Sequence, residues 1–244
     1  MNTSIILITR YASTRLKEKH ILEIDGKTVT DILIGRLKKT GLPIFMATPN
    51  TEEDRKYMLP IADRNDIDYF AGETEDILGR QKTCAWLNDI QYIITVEGDD
   101  ILTMPSVIKD MYNIIKKVQP DVIRTAELPI GLHVIGYKTE VLKGLKSCAS
   151  TGWCNQIHNM PHVAVNYRLD RSYWLTVDYA QDFELVKHIL QHCPDNETPQ
   201  GIVKYLDEHP EVAKINEESA KIYWKAYRER LEGNPDNVNY KEEK

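Results

Sequence analysis

Short apolar runs alternate with amphipathic segments through the first half of the chain. Residues 4–9 (SIILIT) read as a fully buried strand, because four consecutive large aliphatic side chains leave no polar face. Residues 10–27 read as a polar, basic loop, and residues 28–39 as a helix that Gly41 can close. Residues 43–48 (PIFMAT) give a second buried strand, and Thr51 with Asp54 resembles a capping box opening the next helix. A short strand at 68–70 follows, then a helix capped by Thr74 and running to about residue 87. Residues 92–96 (YIITV) form another buried strand, ending in Gly98-Asp99-Asp100. The spacing predicts a helix over 106–117 and a strand over 122–125. The second half is mixed: strands at 131–137, 163–169 and 173–177, and a helix at 181–192. A helix start at Thr198-Pro199 and a charged helix over 217–232 complete it.

Repeated strand–helix units imply right-handed crossovers and a mostly parallel sheet covered on both faces. Ligands of such sheets bind beyond the carboxyl ends of the strands. Those ends are Thr9-Arg10, Thr48 and residues 97–100, so the basic loop and the acidic pair are expected to face one crevice. The 244 residues suit a single α/β domain over 1–232, followed by a polar tail over 233–244.

The net charge of −6 carries no general basic footprint, which argues against a nucleic-acid partner. An acidic protein that handles phosphates must gather its cations locally or recruit a metal. No secretory leader is visible, and no apolar run approaches the roughly 18–20 residues a bilayer demands. The expectation is a cytoplasmic protein with no membrane contact, its cysteines (Cys84, Cys148, Cys154, Cys193) reduced.

Three features carry candidate chemistry. Arg10, Arg15, Lys17 and Lys19 fall within ten residues, interleaved with Ser13 and Thr14. After a buried strand, such a loop can wrap a polyphosphate: cations neutralise it, and hydroxyls and backbone amides donate to it. A solvated surface loop would show the same charges. Asp99, at a strand end, is placed to bind Mg²⁺, which takes one or two carboxylates plus phosphate oxygens and water; Gly and Asp are equally common in plain turns. Asp178 follows a strand-like run and precedes a helix, where it could be a cap or a second ligand. Asp182 reads as a helix N-terminal acid facing the dipole.

The segment Arg10-Tyr11-Ala12-Ser13-Thr14-Arg15-Leu16, followed by Lys19, resembles the N-terminal signature of the CMP-sugar synthetases. It is most similar to the 3-deoxy-manno-octulosonate cytidylyltransferases and the cytidylyltransferases of spore-coat polysaccharide synthesis. Gly98-Asp99-Asp100 resembles that family's Gly-Asp-acid-Pro motif, with Ile101 in the proline's place. Leu175-Thr176-Val177-Asp178 with Asp182-Phe183-Glu184 resembles its second acidic segment. Residues 72–80, ending in Arg80, and Leu128-Pro129-Ile130-Gly131 resemble the spore-coat branch. The family usually carries Pro-Gly where Lys17-Glu18 stand.

The resemblance implies a three-layer, Rossmann-like nucleotidyltransferase of the glycosyltransferase-A type. It implies CMP transfer from CTP to a small acidic acceptor, an acidic sugar foremost, with release of pyrophosphate. Arg10, Ser13, Arg15 and Lys19 would contact phosphates, with Arg15 and Lys19 stabilising the departing pyrophosphate. Asp99 and Asp178 would hold Mg²⁺, Thr48 would line the base pocket, and Arg80 would lie near the nucleotide. Family members are commonly dimers. A phosphate or phosphonate acceptor, another nucleotide, and a non-enzymatic nucleotide-binding protein stay open. Cys148, Cys154, His158 and His162 superficially suggest zinc, but the first spacing is long and no second knuckle follows. His188 and His192 read as a solvated helix face. No Gly-x-Ser-x-Gly elbow and no Gly-x-x-x-x-Gly-Lys loop occurs.

Overall fold

β1 (Thr3–Ile8) is buried at every position. Its alternate side chains enter different cores: Ile5 and Leu7 join one cluster, Ile6 and Ile8 the other. A strand buried on both faces must have a layer above and a layer below it. At about 1.5–3 kcal/mol for each fully buried aliphatic side chain, this one strand is a large local contribution to stability. The computed structural model describes residues 1–146 and 155–232.

β1 pairs in parallel with β4 (Ile44–Pro49) on one side and with β6 (Tyr92–Glu97) on the other. β5 (Asp68–Gly72) extends the sheet beyond β4. Past β6 come β8 (Ile135–Lys138), β7 (Val122–Ala126) and β9 (Val163–Asn166), giving the order β5-β4-β1-β6-β8-β7-β9. β8 runs antiparallel to both of its neighbours, and the other pairings are parallel. A separate hairpin joins β2 (Glu23–Ile24) to β3 (Lys27–Thr28).

On one face lie α1 (Val29–Lys38), α2 (Glu52–Arg64), α4 (Pro105–Val118), α6 (Ala180–His192) and α7 (Pro199–Glu208). They contribute Leu33, Met58, Met111, Val186 and Leu206 to the larger cluster. On the other face α3 (Ile77–Leu87) and the short α5 (Asn155–His158) contribute Ile77, Cys84 and Ile157. The expected three-layer α/β architecture is therefore present. A short α8 (Pro210–Ala213) and the long α9 (Ser219–Glu232) close the described chain.

The helix starts follow local chemistry. Thr28 caps α1 with Asp31 reaching back, a full capping box. Thr51 caps α2 and Thr198 caps α7 through the side chain, each worth about 1 kcal/mol. α3 differs from expectation: Asp76, not Thr74, accepts from Gly79 N at 2.9 Å, and the helix starts there. Three strand expectations change, and the one at 163–169 is observed only as β9, Val163–Asn166. Residues 131–134 precede β8 as a loop, and 173–177 pair only through one bridge, Ile130 to Trp174. Cys148, Cys154 and the tail at 233–244 lie outside the described residues. Cys84 and Cys193 are buried thiols without a disulfide. No helix among the described residues is long and apolar enough to cross a membrane.

Candidate active site

The register places three strand ends side by side. Ile8 lies opposite Ala47 on one flank and Glu97 on the other. Thr9 N donates to Ala47 O at 3.3 Å, and Gly98 N donates to Ile8 O at 2.7 Å. The loop after β1 and the acidic turn after β6 thus leave the sheet at one edge. The distant 175–178 segment joins them through Val177 N, which donates to Asp99 O at 3.0 Å. Gly131 makes this approach possible. It has φ +95°, and a Cβ there would stand 2.3 Å from Leu175 C. Leu175 N donates to Ile130 O at 2.8 Å, so the Pro129–Gly131 turn and the Asp178 segment are braced together.

Lys19 fills the centre. Its ammonium donates to Asp99 Oδ2 at 2.6 Å and to Val177 O at 2.9 Å, and lies 3.4 Å from Asp178 Oδ1. Arg15 forms an ion pair with the same Asp178 oxygen, and its guanidinium sits 5.0 Å from the centroid of the Tyr223 ring of α9. Burial pushes the Asp99 carboxyl up, but the Lys19 charge beside it prevails and holds it below its ordinary value. Asp178 lies deeper. Burial raises its carboxyl above the ordinary value, with Asp99 adding and Lys19 and Arg15 opposing. Burial and the charges of Asp99 and Glu97 push Asp100 well upward, towards its neutral form. The two neighbouring carboxyls are thus shifted in opposite directions.

The loop that delivers these cations is tethered at both ends. At its start, Tyr11 N donates to Asp54 Oδ1 at 2.7 Å, while the other Asp54 oxygen accepts from Thr51 Oγ1 at 2.6 Å. Tyr11 stacks on Tyr57 with ring centroids 4.0 Å apart. At its end, a 3-10 turn carries Lys19 and His20 inward. Glu18, just before it, has φ 56°, in the left-handed region that a glycine would occupy readily. Tyr11 OH donates to Glu18 Oε1 at 2.8 Å, which helps to hold that conformation. His20 is buried with Nδ1 3.2 Å from Gly98 O, and burial with the neighbouring Lys19 charge depresses its pKa to about 3. It is a neutral imidazole, able to donate to that carbonyl from Nδ1.

The remaining sequence candidates are placed as follows. Arg10 is exposed at the end of β1, and Ser13 is half-buried in the loop. Thr48 is fully buried, its Oγ1 2.7 Å from Tyr69 Oη and 3.1 Å from Pro49 O, so its hydroxyl is already engaged. Arg80 is 2% exposed on α3. Its Nη1 donates to Glu73 O at 2.9 Å, and its Nε has no hydrogen-bond partner among the described residues. Burial pulls this guanidinium down to about 10, with Asp54 the largest opposing influence and Arg10 acting with burial. It is still a cation at neutral pH. His188 is half-buried and holds Tyr205 at 3.0 Å rather than facing water alone.

Asp182 and Asn216 support Asp178 from behind. Asp182 Oδ2 accepts from Asp178 N at 3.0 Å and from Tyr179 N at 2.7 Å, so Asp182 is a reach-back acid and Tyr179, not Asp178, is the cap residue. Asn216 Nδ2 donates to Asp182 Oδ1 at 2.7 Å and to Trp174 O at 2.8 Å. Sequence reasoning missed Asn216, Tyr223 and the tether by Asp54. Tyr223, Trp224 and Tyr227 form an aromatic run on α9 that charge counting obscured.

Three oxygens, those of Asp99, Asp178 and Val177, converge on one ammonium, which marks a cation position. An all-oxygen set with two carboxylates fits Mg²⁺. Among the described residues no group of three or more His, Cys, Asp or Glu side chains is placed to hold a metal, so phosphate and water would have to complete the coordination.

The seven-stranded, mostly parallel sheet is a fold shared with solved structures of nucleotidyltransferases. Solved structures with it include a cytidylyltransferase from Leptospira borgpetersenii, with TM-score 0.76, 18% identity and coverage of 88% of this chain and 97% of that one. CMP:2-keto-3-deoxy-manno-octonic acid synthetase complexed with CTP matches at TM-score 0.61 and 13% identity, over 78% and 99%. 4-Diphosphocytidyl-2C-methyl-D-erythritol synthase from Anaerococcus prevotii matches at TM-score 0.55 and 10% identity, over 79% and 100%. Among curated sequences, an uncharacterized protein of Methanocaldococcus jannaschii is 25% identical over 92% of this chain and 97% of its own. No family model matches the sequence.

Proposed function

We propose that the protein is a CTP-dependent cytidylyltransferase that transfers CMP to a small acidic acceptor, an acidic sugar foremost, and releases pyrophosphate. One observation carries the reading: Asp99, Asp178, Lys19 and Arg15 meet at the strand-end edge of a fold shared with cytidylyltransferases. Phosphoryl transfer of this kind needs positioning and charge neutralisation more than covalent help. Arg10, Ser13, Arg15 and Lys19 bind the triphosphate, and Arg15 and Lys19 stabilise pyrophosphate as it leaves. Arg80, a buried cation with a spare donor, contacts the nucleotide. Asp99 and Asp178 would hold Mg²⁺, which would supply Lewis-acid neutralisation of the phosphate charge. An acceptor that is already an oxyanion needs no dedicated base, and none is assigned. Thr48, fully buried with its hydroxyl engaged, backs the base pocket from behind rather than touching the base. A cytoplasmic homodimer belongs to the same proposal.

The test has two stages. Pyrophosphate release is assayed with each of the four nucleotides and Mg²⁺ over a panel of acidic sugars, phosphates and phosphonates. Mass spectrometry then looks for the CMP adduct. A CMP adduct that forms with CTP and disappears in Asp99→Ala and Asp178→Ala is expected. Undiminished pyrophosphate release in both variants removes the mechanism.

A further inference from the structure

We propose that Lys19 and Arg15 have a second role: in the nucleotide-free protein they occupy the divalent cation's place, so the metal enters only with a polyphosphate that draws them away. This rests on the reading of the site as one for metal and triphosphate.

The two cations satisfy the carboxylates without any ligand. Lys19, 7% exposed in its side chain, takes an oxygen from Asp99, one from Asp178 and the Val177 carbonyl. Arg15 takes the same Asp178 oxygen, and its guanidinium lies over the Tyr223 ring. Asp178 is 3% exposed in its side chain, so water screens these contacts poorly. Two positive side chains therefore meet the two acidic side chains of Asp99 and Asp178. A doubly charged ion entering alone meets an ammonium and a guanidinium at the oxygens it needs.

A polyphosphate changes the balance at both ends. Its oxygens accept from the Arg15 fork and the Lys19 ammonium, which releases the carboxylates. The same phosphates supply the oxygens that two carboxylates alone lack. Metal and polyphosphate then bind with positive coupling, and linkage requires the coupling to be equal in both directions. Tyr223 is a positioning residue here, acting through its contact with Arg15.

The experiment uses the full chain, Mn²⁺ as the metal and inorganic tripolyphosphate as the anion. Water-proton relaxation enhancement reports Mn²⁺ on the protein and discriminates against Mn²⁺ chelated in free solution. Wild-type protein is expected to bind Mn²⁺ at least about tenfold more tightly with tripolyphosphate than without, within the usual range for coupled sites. Lys19→Gln is expected to bind Mn²⁺ alone more tightly than wild type does. Equal Mn²⁺ affinity of the wild type with and without tripolyphosphate overturns the inference, as does absence of protein-bound Mn²⁺ in both mixtures. If Lys19→Gln fails to fold, the wild-type comparison decides alone. Tripolyphosphate has no base and cannot be an acceptor's CMP donor. Coupling without CMP transfer would refute the function and keep this inference, and CMP transfer without coupling would do the reverse.

Discussion

The Tyr11 amide donates to the Asp54 carboxylate at 2.7 Å, fastening the start of the basic loop to the first turn of α2. The same carboxylate takes the Thr51 hydroxyl, so one buried side chain both helps to order the helix start and fixes the loop. Asp54→Ala removes both bonds and leaves the Tyr11 amide to find water. The expected cost is about 1–3 kcal/mol of stability, together with a raised KM for the nucleotide. Chemical denaturation and steady-state kinetics measure the two. A variant with wild-type KM would show that the loop is ordered without this tether.

Gly131 sits against the backbone that leads to Asp178. Gly131→Ala forces a Cβ into a contact of 2.3 Å and strains a left-handed residue, and backbone cannot yield as a side-chain tip can. The expected result is a loss of more than about 1 kcal/mol, and a fall in turnover as the 175–178 segment shifts. An unaltered melting midpoint and unaltered kcat would mean that the turn relaxes freely.

Arg80 separates binding from stability. It is a buried cation with no ion pair among the described residues, so Arg80→Met, which keeps the stem, removes a desolvated charge at little structural loss. The melting midpoint should hold or rise. The KM for nucleotide should rise roughly tenfold to a hundredfold, the worth of a charge-assisted hydrogen bond of about 1.5–3 kcal/mol. A fall in midpoint with KM unchanged would make Arg80 a structural residue.

Asp31 gives a pH dependence with a fixed sign. Its burial raises the carboxyl, but hydrogen bonds from Arg64, Thr28 and Asn65 outweigh this and bring the pKa to about 2, below the ordinary 3.8. A depressed folded pKa means that the unfolded chain takes up the proton first. The contribution is therefore present above pH 3.8 and fades as pH falls towards 2. Melting midpoints from pH 5 to pH 2 should fall more steeply in wild type than in Asp31→Asn, and parallel curves would count against the assignment.

Much of the fold could be read directly because its signals are local. Residues 4–9 and 92–96 are mostly apolar runs without polar alternation, as a strand buried on both sides requires. The caps at Thr28, Thr51 and Thr198 are equally local. The 173–177 run reads as a strand by composition, yet its one backbone bridge is to Ile130 in a turn, a relationship no alternation encodes. Asp99 and the basic loop were legible as chemistry because each follows a strand end. The contact of Asp178 with Lys19 was legible only through the likeness of the motifs to known sequences. Tyr223 and Asn216 were not legible at all: one reaches Arg15 from α9, the other holds Trp174 and Asp182 from a turn, and both relationships exist only after the chain has closed.

That closure has a consequence for how the protein is made. Lys19 meets Val177 across 158 positions, and Arg15 meets a ring on α9, near the end of the described chain. A growing polypeptide can settle β1, β4 and β6 early, while its two loop cations still face solvent. Only when α9 has cleared the ribosome does Arg15 gain the Tyr223 ring, so a chain cut short before α9 would leave that guanidinium without its aromatic cover.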